Sequence, residues 1–227
     1  MAKERPLLFS APMVQAILNG TKSQTRRLIK NPEFFGCFTG DCPHLDEKEC
    51  RAAIANLFIP EFNPFGLPGD KIWVRETWYC DHCFERDYRL TRKIYVGQTL
   101  TDKECEAEWH PHLFYRADNP EFEDGPPKWS PSIHMPRWAS RITLEIIEVR
   151  VERLREISEE SARAEGAAPY DPTAYFTISE MGGAEHIADW EYRAGFAKLW
   201  NSLAKPGATW RDNPWVAVIE FKVVASS

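Results

Sequence analysis

No run of about 18 apolar residues occurs in this chain of 227, which leaves no candidate for a membrane-spanning helix. An export signal is also missing. Residues 1–12 hold only a short apolar stretch, broken by Ser10 and Pro12, too short for the apolar region of a signal peptide. The chain is therefore expected in a reducing cytoplasm, where its six cysteines are free or metal-bound rather than disulfide-paired. There is no internal repeat and no low-complexity run. With 43% hydrophobic and 27% charged residues the composition is that of a folded globular chain, and wholesale disorder is excluded. The formal net charge of −6 argues against bulk nucleic-acid binding, which needs a basic surface.

Acid is also absent locally. Between Arg5 and Pro32 there is no Asp or Glu, while Arg5, Lys22, Arg26, Arg27 and Lys30 are all present. Between Gly125 and Leu144 acid is missing again, with Lys128, Arg137 and Arg141 present. Two readings are open: a local site for an anionic or electron-rich ligand, or strands whose cations are paired by acids from elsewhere.

Ser10, Ala11 and Pro12 open a helix that Gly20 ends. A short strand rich in Thr and Arg follows, closed by Leu28 and Ile29. The turn at Leu67-Pro68-Gly69-Asp70 opens a second strand in which Ile72 and Val74 alternate against Arg75 and Thr77. Residues 113–117 form a short strand, and four prolines between Pro126 and Pro136 make that stretch extended loop. The clearest strand covers about residues 141–154, with a phase slip at Ile146-Ile147 that predicts a bulge. Ser158 caps a short helix with an acidic first turn, ended by Gly166. A helix over about 184–203 and a strand over about 215–224 complete the chain. Two irregular, Cys-bearing stretches, at about 31–66 and 80–112, read as insertions. The expected architecture is α+β: one domain over residues 1–227, built on a curved sheet or β-barrel with flanking helices.

Three residues are candidates for chemistry. Lys22 follows the helix-ending Gly20, Thr25 comes three residues later, and Glu165 sits in the last turn of its helix. A carboxylate there faces the negative end of the helix dipole, at a cost of up to about 1 kcal/mol. Each also has an ordinary reading: a surface lysine, a β-branched strand residue, a solvated glutamate.

The run Gly20-Thr21-Lys22-Ser23-Gln24-Thr25-Arg26-Arg27 resembles the Gly-x-Lys-x-x-Thr-x-Arg signature of the ASCH domain family, which has a PUA-like fold. Pro68-Gly69-Asp70 is similar to that family's Gly-Asp turn. The segment from Ile157-Ser158-Glu159-Glu160 to Glu165 is similar to its short helix, and Trp215 to Phe221 to its closing strand. As a whole the chain resembles a long form common in phage and prophage genomes. Small bacterial members are amidohydrolases that cleave N-acetylcytidine to cytidine and acetate. The resemblance implies that Lys22, Thr25 and Glu165 match their catalytic Lys, Thr and Glu. It also implies a nucleoside or modified-cytosine substrate, with RNA or single-stranded nucleic acid as the alternative partner.

Amide hydrolysis needs a nucleophile, a proton acceptor and a group that stabilises an oxyanion. Thr25 supplies a hydroxyl, Lys22 an amine that burial would make less basic, and Glu165 a carboxylate to orient it; a water nucleophile is the other route. No metal or other cofactor is required. In a flat strand residues 22 and 25 face opposite ways, so Lys22 is expected in a turn or beside a bulge. All three are expected to line a pocket. Arg26 and Arg27 are expected to hold the base carbonyl or a phosphate, and Phe9 and Trp78 to stack on a base. His134, Arg137 and Arg141 form a second polar group.

Cys37-x4-Cys42 and Cys80-x2-Cys83 have the spacing of two knuckles of a structural zinc site, with Cys50, Cys105, His44 and His82 as alternates and free thiols as the other reading. The leading expectation for function is a hydrolase of N-acylated cytosine nucleosides. A non-catalytic module reading a modified or single-stranded base is the alternative, and a ribonuclease a weaker one.

Overall fold

The structure, a computed structural model, describes residues 2–29, 63–80, 113–119, 128–169 and 191–226. Its elements are β1 (Glu4–Leu8), α1 (Ala11–Leu18), β2 (Gln24–Leu28), β3 (Lys71–Arg75), β4 (Trp78–Cys80), β5 (Leu113–Tyr115), β6 (Ile142–Arg153), α2 (Glu159–Ala164), α3 (Glu191–Leu203) and β7 (Trp215–Ser226). Five strands make one sheet in the order β1-β3-β6-β7-β2, and β4 pairs with β5 in a separate ribbon. Among the described strands only β1 and β3 run parallel. The class is α+β, as expected.

The long β6–β7 pair is the spine. Its ladder shifts register between Thr143 and Leu144 and again between Ile146 and Glu148. The second shift falls where the phase slip predicts a bulge, and such bulges bend the strand. Among the described residues the sheet does not close into a barrel: β1 and β2 are its two edges. Pro6 sits in β1 and has no N–H to offer a further strand, which suits an edge position.

Strand β7 is buried on both faces. Ile219 and Phe221 join Phe9, Val14, Ile17, Ile72 and Leu144 in the cluster under α1. Val216 and Val218 join Leu154, Ile157, Phe196 and Trp210 in the cluster under α2 and α3. Helix α1 therefore covers one side of the sheet and the α2–α3 pair the other.

Local chemistry fixes the turns that matter. Ser10, extended, begins α1 with Pro12 in its first turn. Gly20 (φ +72) turns the chain so that the N–H groups of Thr21 and Lys22 both donate to the Ala16 carbonyl, at 2.9 and 3.0 Å. The Asp70 carboxylate accepts from Lys3 N (2.8 Å), Leu67 N (3.1 Å) and Arg5 Nη1 (2.8 Å), tying the starts of β1 and β3 together. Those main-chain donors hold its carboxyl below the usual range.

One expectation changes, and one lies partly outside the described residues. The proline-rich loop is not simply extended but folds into 3-10 turns at Ser132–His134 and Arg137–Ala139. The last helix is described from Glu191, and residues 171–190 lie outside the described part. Among the described residues no helix is long and apolar enough to cross a membrane.

Candidate functional site

The turn after α1 and the C-terminal end of α2 meet beside the edge strand β2. Ser158 Oγ accepts from Ser161 N at 3.1 Å and starts α2; Glu165 is its C-cap, and Gly166 (φ +74) reverses the chain. The Ala164 carbonyl accepts from Ser23 N at 2.9 Å, and Lys22 forms an isolated antiparallel bridge with Glu165. Lys22 thus lies in the turn before β2, and the alternation of strand side chains does not bind it.

Lys22 is 2% exposed and Glu165 3%. The Lys22 ammonium uses all three of its donors: to the Gln24 carbonyl at 2.8 Å, the Glu165 carbonyl at 2.6 Å and Glu165 Oε2 at 2.9 Å. Burial pushes its pKa down, Glu165 pulls it back up, and the neighbouring Arg27 and Arg26 push it down again. Arg26 Nη1 reaches Glu165 Oε1 and its Nη2 reaches Glu152 Oε2, each at 3.0 Å. Arg150 Nε then holds Glu152 Oε1 at 2.6 Å and carries the network outward to Glu148 and Glu220. Lys22 and Arg26 therefore share the Glu165 carboxylate, and Arg26 also holds Glu152.

Thr25 is 1% exposed and lies opposite Ile219 in the ladder, on the face of the Phe9 cluster. Its hydroxyl makes no hydrogen bond among the described residues. Arg27, two residues on, shares that face: its guanidinium lies 5.3 Å from the Phe9 ring centroid and Nη2 donates to the Leu8 carbonyl at 2.7 Å. Burial lowers the Arg27 pKa, opposed by Glu165, but an arginine stays charged at neutral pH.

The structure thus brings Lys22, Arg26 and Glu165 into direct contact, with Thr25 and Arg27 on the strand beside them. Two expectations change here. Lys22 and Glu165 are buried and bonded rather than open in a pocket, so neither is removable without cost to stability. Arg26 is committed to two carboxylates and has little charge left for a phosphate.

The remaining candidates lie elsewhere. Phe9 packs edge-on against Phe221, and Trp78 edge-on against Trp138 beside Met135 and Ala139; both rings are in the core. His134 is exposed. Arg137 pairs with Glu4 at 3.0 Å and donates to Thr143 Oγ1 at 3.3 Å. Arg141 pairs with buried Glu76 and with Asp118 and stacks on Tyr115, 4.0 Å from its centroid. The acid-free windows are therefore satisfied, at Arg5, Arg26, Arg137 and Arg141, by acids from other parts of the chain. Cys37, Cys42 and Cys83 lie outside the described residues, with the alternates Cys50, Cys105, His44 and His82, and the Cys80 side chain is not described either. Among the described residues no group of three His, Cys, Asp or Glu side chains suits a metal ion.

Three participants carry little sequence signal: Glu152, Glu76 and Asp118. For Glu152 a clue exists in the alternation Glu148, Arg150, Glu152, which puts a charged stripe on one side of β6. Comparisons with protein-family models, with curated proteins and with solved structures find no match to this chain.

Proposed function

We propose that this chain is a PUA-like, ASCH-type amidohydrolase that removes the acyl group from N-acylated cytosine nucleosides. The observation that carries the reading is the buried Lys22–Glu165 pair, joined across 143 residues of sequence beside the strand that bears Thr25. A buried amine kept at lowered basicity by desolvation, next to a carboxylate that can take its proton, is the arrangement a hydroxyl nucleophile needs.

In this mechanism the Lys22 ammonium hands a proton to Glu165 Oε2 and becomes a neutral amine. That amine accepts the Thr25 hydroxyl proton as Thr25 Oγ1 bonds to the acyl carbon. The carbon–nitrogen bond then breaks, the exocyclic cytosine nitrogen leaves with a proton from Lys22, and an acyl ester remains on Thr25. Water, activated by the same amine, hydrolyses the ester to free acid and regenerates the hydroxyl. The sum is amide plus water giving acid plus cytosine amine, with no metal or redox partner in the scheme.

A polymer-binding module gains little support from the arginines, because Arg26 and Arg141 are committed to carboxylates. The test is steady-state hydrolysis of N-acetylcytidine, followed by the ultraviolet change as cytidine forms. Lys22→Met, Thr25→Val and Glu165→Gln should each lower turnover by roughly a thousandfold or more, and double variants little further, as expected of residues acting as a unit. Wild-type protein inert toward every acylated cytosine would sink the reading. Full activity in Thr25→Val would restrict it to a water nucleophile.

A further inference from the structure

We propose that the main-chain N–H of Arg26 is the oxyanion donor of this site, receiving the acyl oxygen of the substrate in the seam between β1 and β2; the proposal rests on the amidohydrolase reading above. Antiparallel strands present alternate residues to their partner. At the two ends of the β2–β7 ladder, Phe221 N donates to the Ser23 carbonyl at 2.9 Å and Ile29 N donates to the Trp215 carbonyl at 3.1 Å. The register between them is unbroken, so the odd-numbered residues, Thr25 and Arg27 included, bond to β7. The peptide groups of Gln24, Arg26 and Leu28 therefore point away from β7, over the edge that no described strand covers. The Gln24 carbonyl shows this directly, since it accepts from Lys22 Nζ.

The opposite wall of the seam follows the same logic. Lys71 N donates to the Lys3 carbonyl and Phe9 N to the Arg75 carbonyl, so the odd residues of β1 face β3 and the even ones face the seam. The Leu8 carbonyl lies on that side, and Arg27 Nη2 crosses to it at 2.7 Å. The Arg27 side chain thus bridges the two edges.

In this seam Arg26 is 2% exposed, and its main-chain N–H has no hydrogen-bond partner among the described residues. Its side-chain Nε is buried and likewise unpartnered. Buried donors left without an acceptor are uncommon in folded proteins, and each one calls for an explanation. An acyl oxygen supplies it. The N–H belongs to the residue directly after Thr25, so one peptide unit joins the nucleophile to the donor. The same relation occurs in hydrolases whose oxyanion hole uses the N–H following the nucleophile. As Thr25 Oγ1 bonds to the acyl carbon, the carbonyl π electrons move to oxygen, and the negative charge develops where this N–H can receive it; the charge returns when the carbon–nitrogen bond breaks.

The experiment is amide hydrogen exchange and proton chemical shift by NMR on the full-length Thr25→Val chain, free and with N-acetylcytidine as the probe. In the free protein the Arg26 amide should exchange roughly tenfold or more faster than the ladder-bonded amides of residues 25 and 27. With the probe it should slow by a similar factor and move downfield. If Arg26 is as protected as Arg27 in the free protein, the donor is already occupied and the proposal is wrong, whatever the enzyme does. If the probe shifts Thr25→Val resonances around Lys22 and Arg27 but leaves the Arg26 amide unmoved, the proposal is wrong and the amidohydrolase reading stands. If the probe perturbs nothing, the substrate reading fails and takes the donor assignment with it.

Discussion

Glu165 and Glu76 are both almost fully buried carboxylates, 3% and 1% exposed, and each is held by arginine, yet their surroundings differ in what they leave over. Around Glu76 the bonding closes on itself. Arg141 Nε and Nη2 take its two oxygens at 3.0 and 3.2 Å, both terminal nitrogens of the same arginine take Asp118 at 2.8 Å, and the Tyr115 ring covers the guanidinium. Tyr115 in turn donates its hydroxyl to the Ala139 carbonyl. This cluster pins the β4–β5 ribbon to the main sheet. Around Glu165 the lysine is saturated, but Arg26 keeps an unbonded Nε and no described strand covers the outer edge of β2. Burial and charge pairing alone therefore do not separate a strut from a site.

Removing one charge from each cluster should widen that contrast. Glu165→Gln leaves buried Lys22 with no carboxylate and Arg26 with Glu152 alone, and losing one partner of such a pair costs about 3–5 kcal/mol. Glu76→Gln leaves Arg141 its bidentate contact with the half-exposed Asp118, and the loss should be nearer 1–3 kcal/mol. Urea unfolding of the two variants at neutral pH measures both. Equal losses would mean that the clusters are energetically alike and that the distinction drawn between them is wrong.

A pH series sharpens the same comparison from the Glu76 side. Burial raises the Glu76 carboxyl above its ordinary 4.5, with Asp118 adding to the rise and Arg141 opposing it. The native state therefore binds more protons than the unfolded chain in the interval above pH 4.5. In that interval stability falls as pH rises, and the protonated carboxyl's advantage is lost once pH passes the raised folded value. Glu76→Gln removes the titrating group, so the stability of wild type relative to this variant should decline from about pH 4 upward and then level off. Tyr115, pushed to about 12 mainly by its burial, does not titrate in this range and leaves the comparison clean. A flat difference between wild type and variant would remove Glu76 as a strained carboxyl.

The elements of this fold were legible where a local rule acts alone. The turn glycines, Gly20 and Gly166, the Ser158 cap and the bulge near Ile146 each follow from one residue type in one conformation. The Lys22–Glu165 contact was reachable only through the resemblance to the ASCH family, because nothing in either segment encodes contact across 143 residues. The open seam was not legible: closure of a curved sheet depends on the accumulated twist of five strands, and Pro6 alone hints that β1 stays an edge. For Arg26 and Arg141 the sequence left two readings open, a ligand site or pairing by distant acids, and it could not choose between them for a related reason. A cation without acids nearby in sequence looks available for a ligand, whereas folding supplied Glu152 from β6 and Glu76 from the β3–β4 connection, both distant in sequence.

The smallest expected effect probes how closely the site depends on backbone packing. Gly20 and Gly166 both have positive φ, +72 and +74, and an alanine at either carries a left-handed backbone penalty of roughly 1 kcal/mol. At Gly20 a Cβ meets nothing within 4 Å, so Gly20→Ala should lose about that much stability and little else. At Gly166 a Cβ would lie 2.9 Å from Ala16 Cβ and 3.2 Å from Lys22 Cβ. Neither neighbour is the far end of a flexible chain, so α1 or the Lys22 turn must move by a few tenths of an ångström. A lysine that holds three acceptors at 2.6–2.9 Å can follow such a shift only by stretching or tilting those bonds. Gly166→Ala should therefore lower N-acetylcytidine turnover by roughly tenfold or more, beyond its loss of stability, while Gly20→Ala keeps the wild-type rate once folded. If both variants retain full turnover, the spacing between α2 and the Lys22 turn does not set the chemistry, and the Lys22–Glu165 pair belongs with Glu76 and Arg141 among the struts.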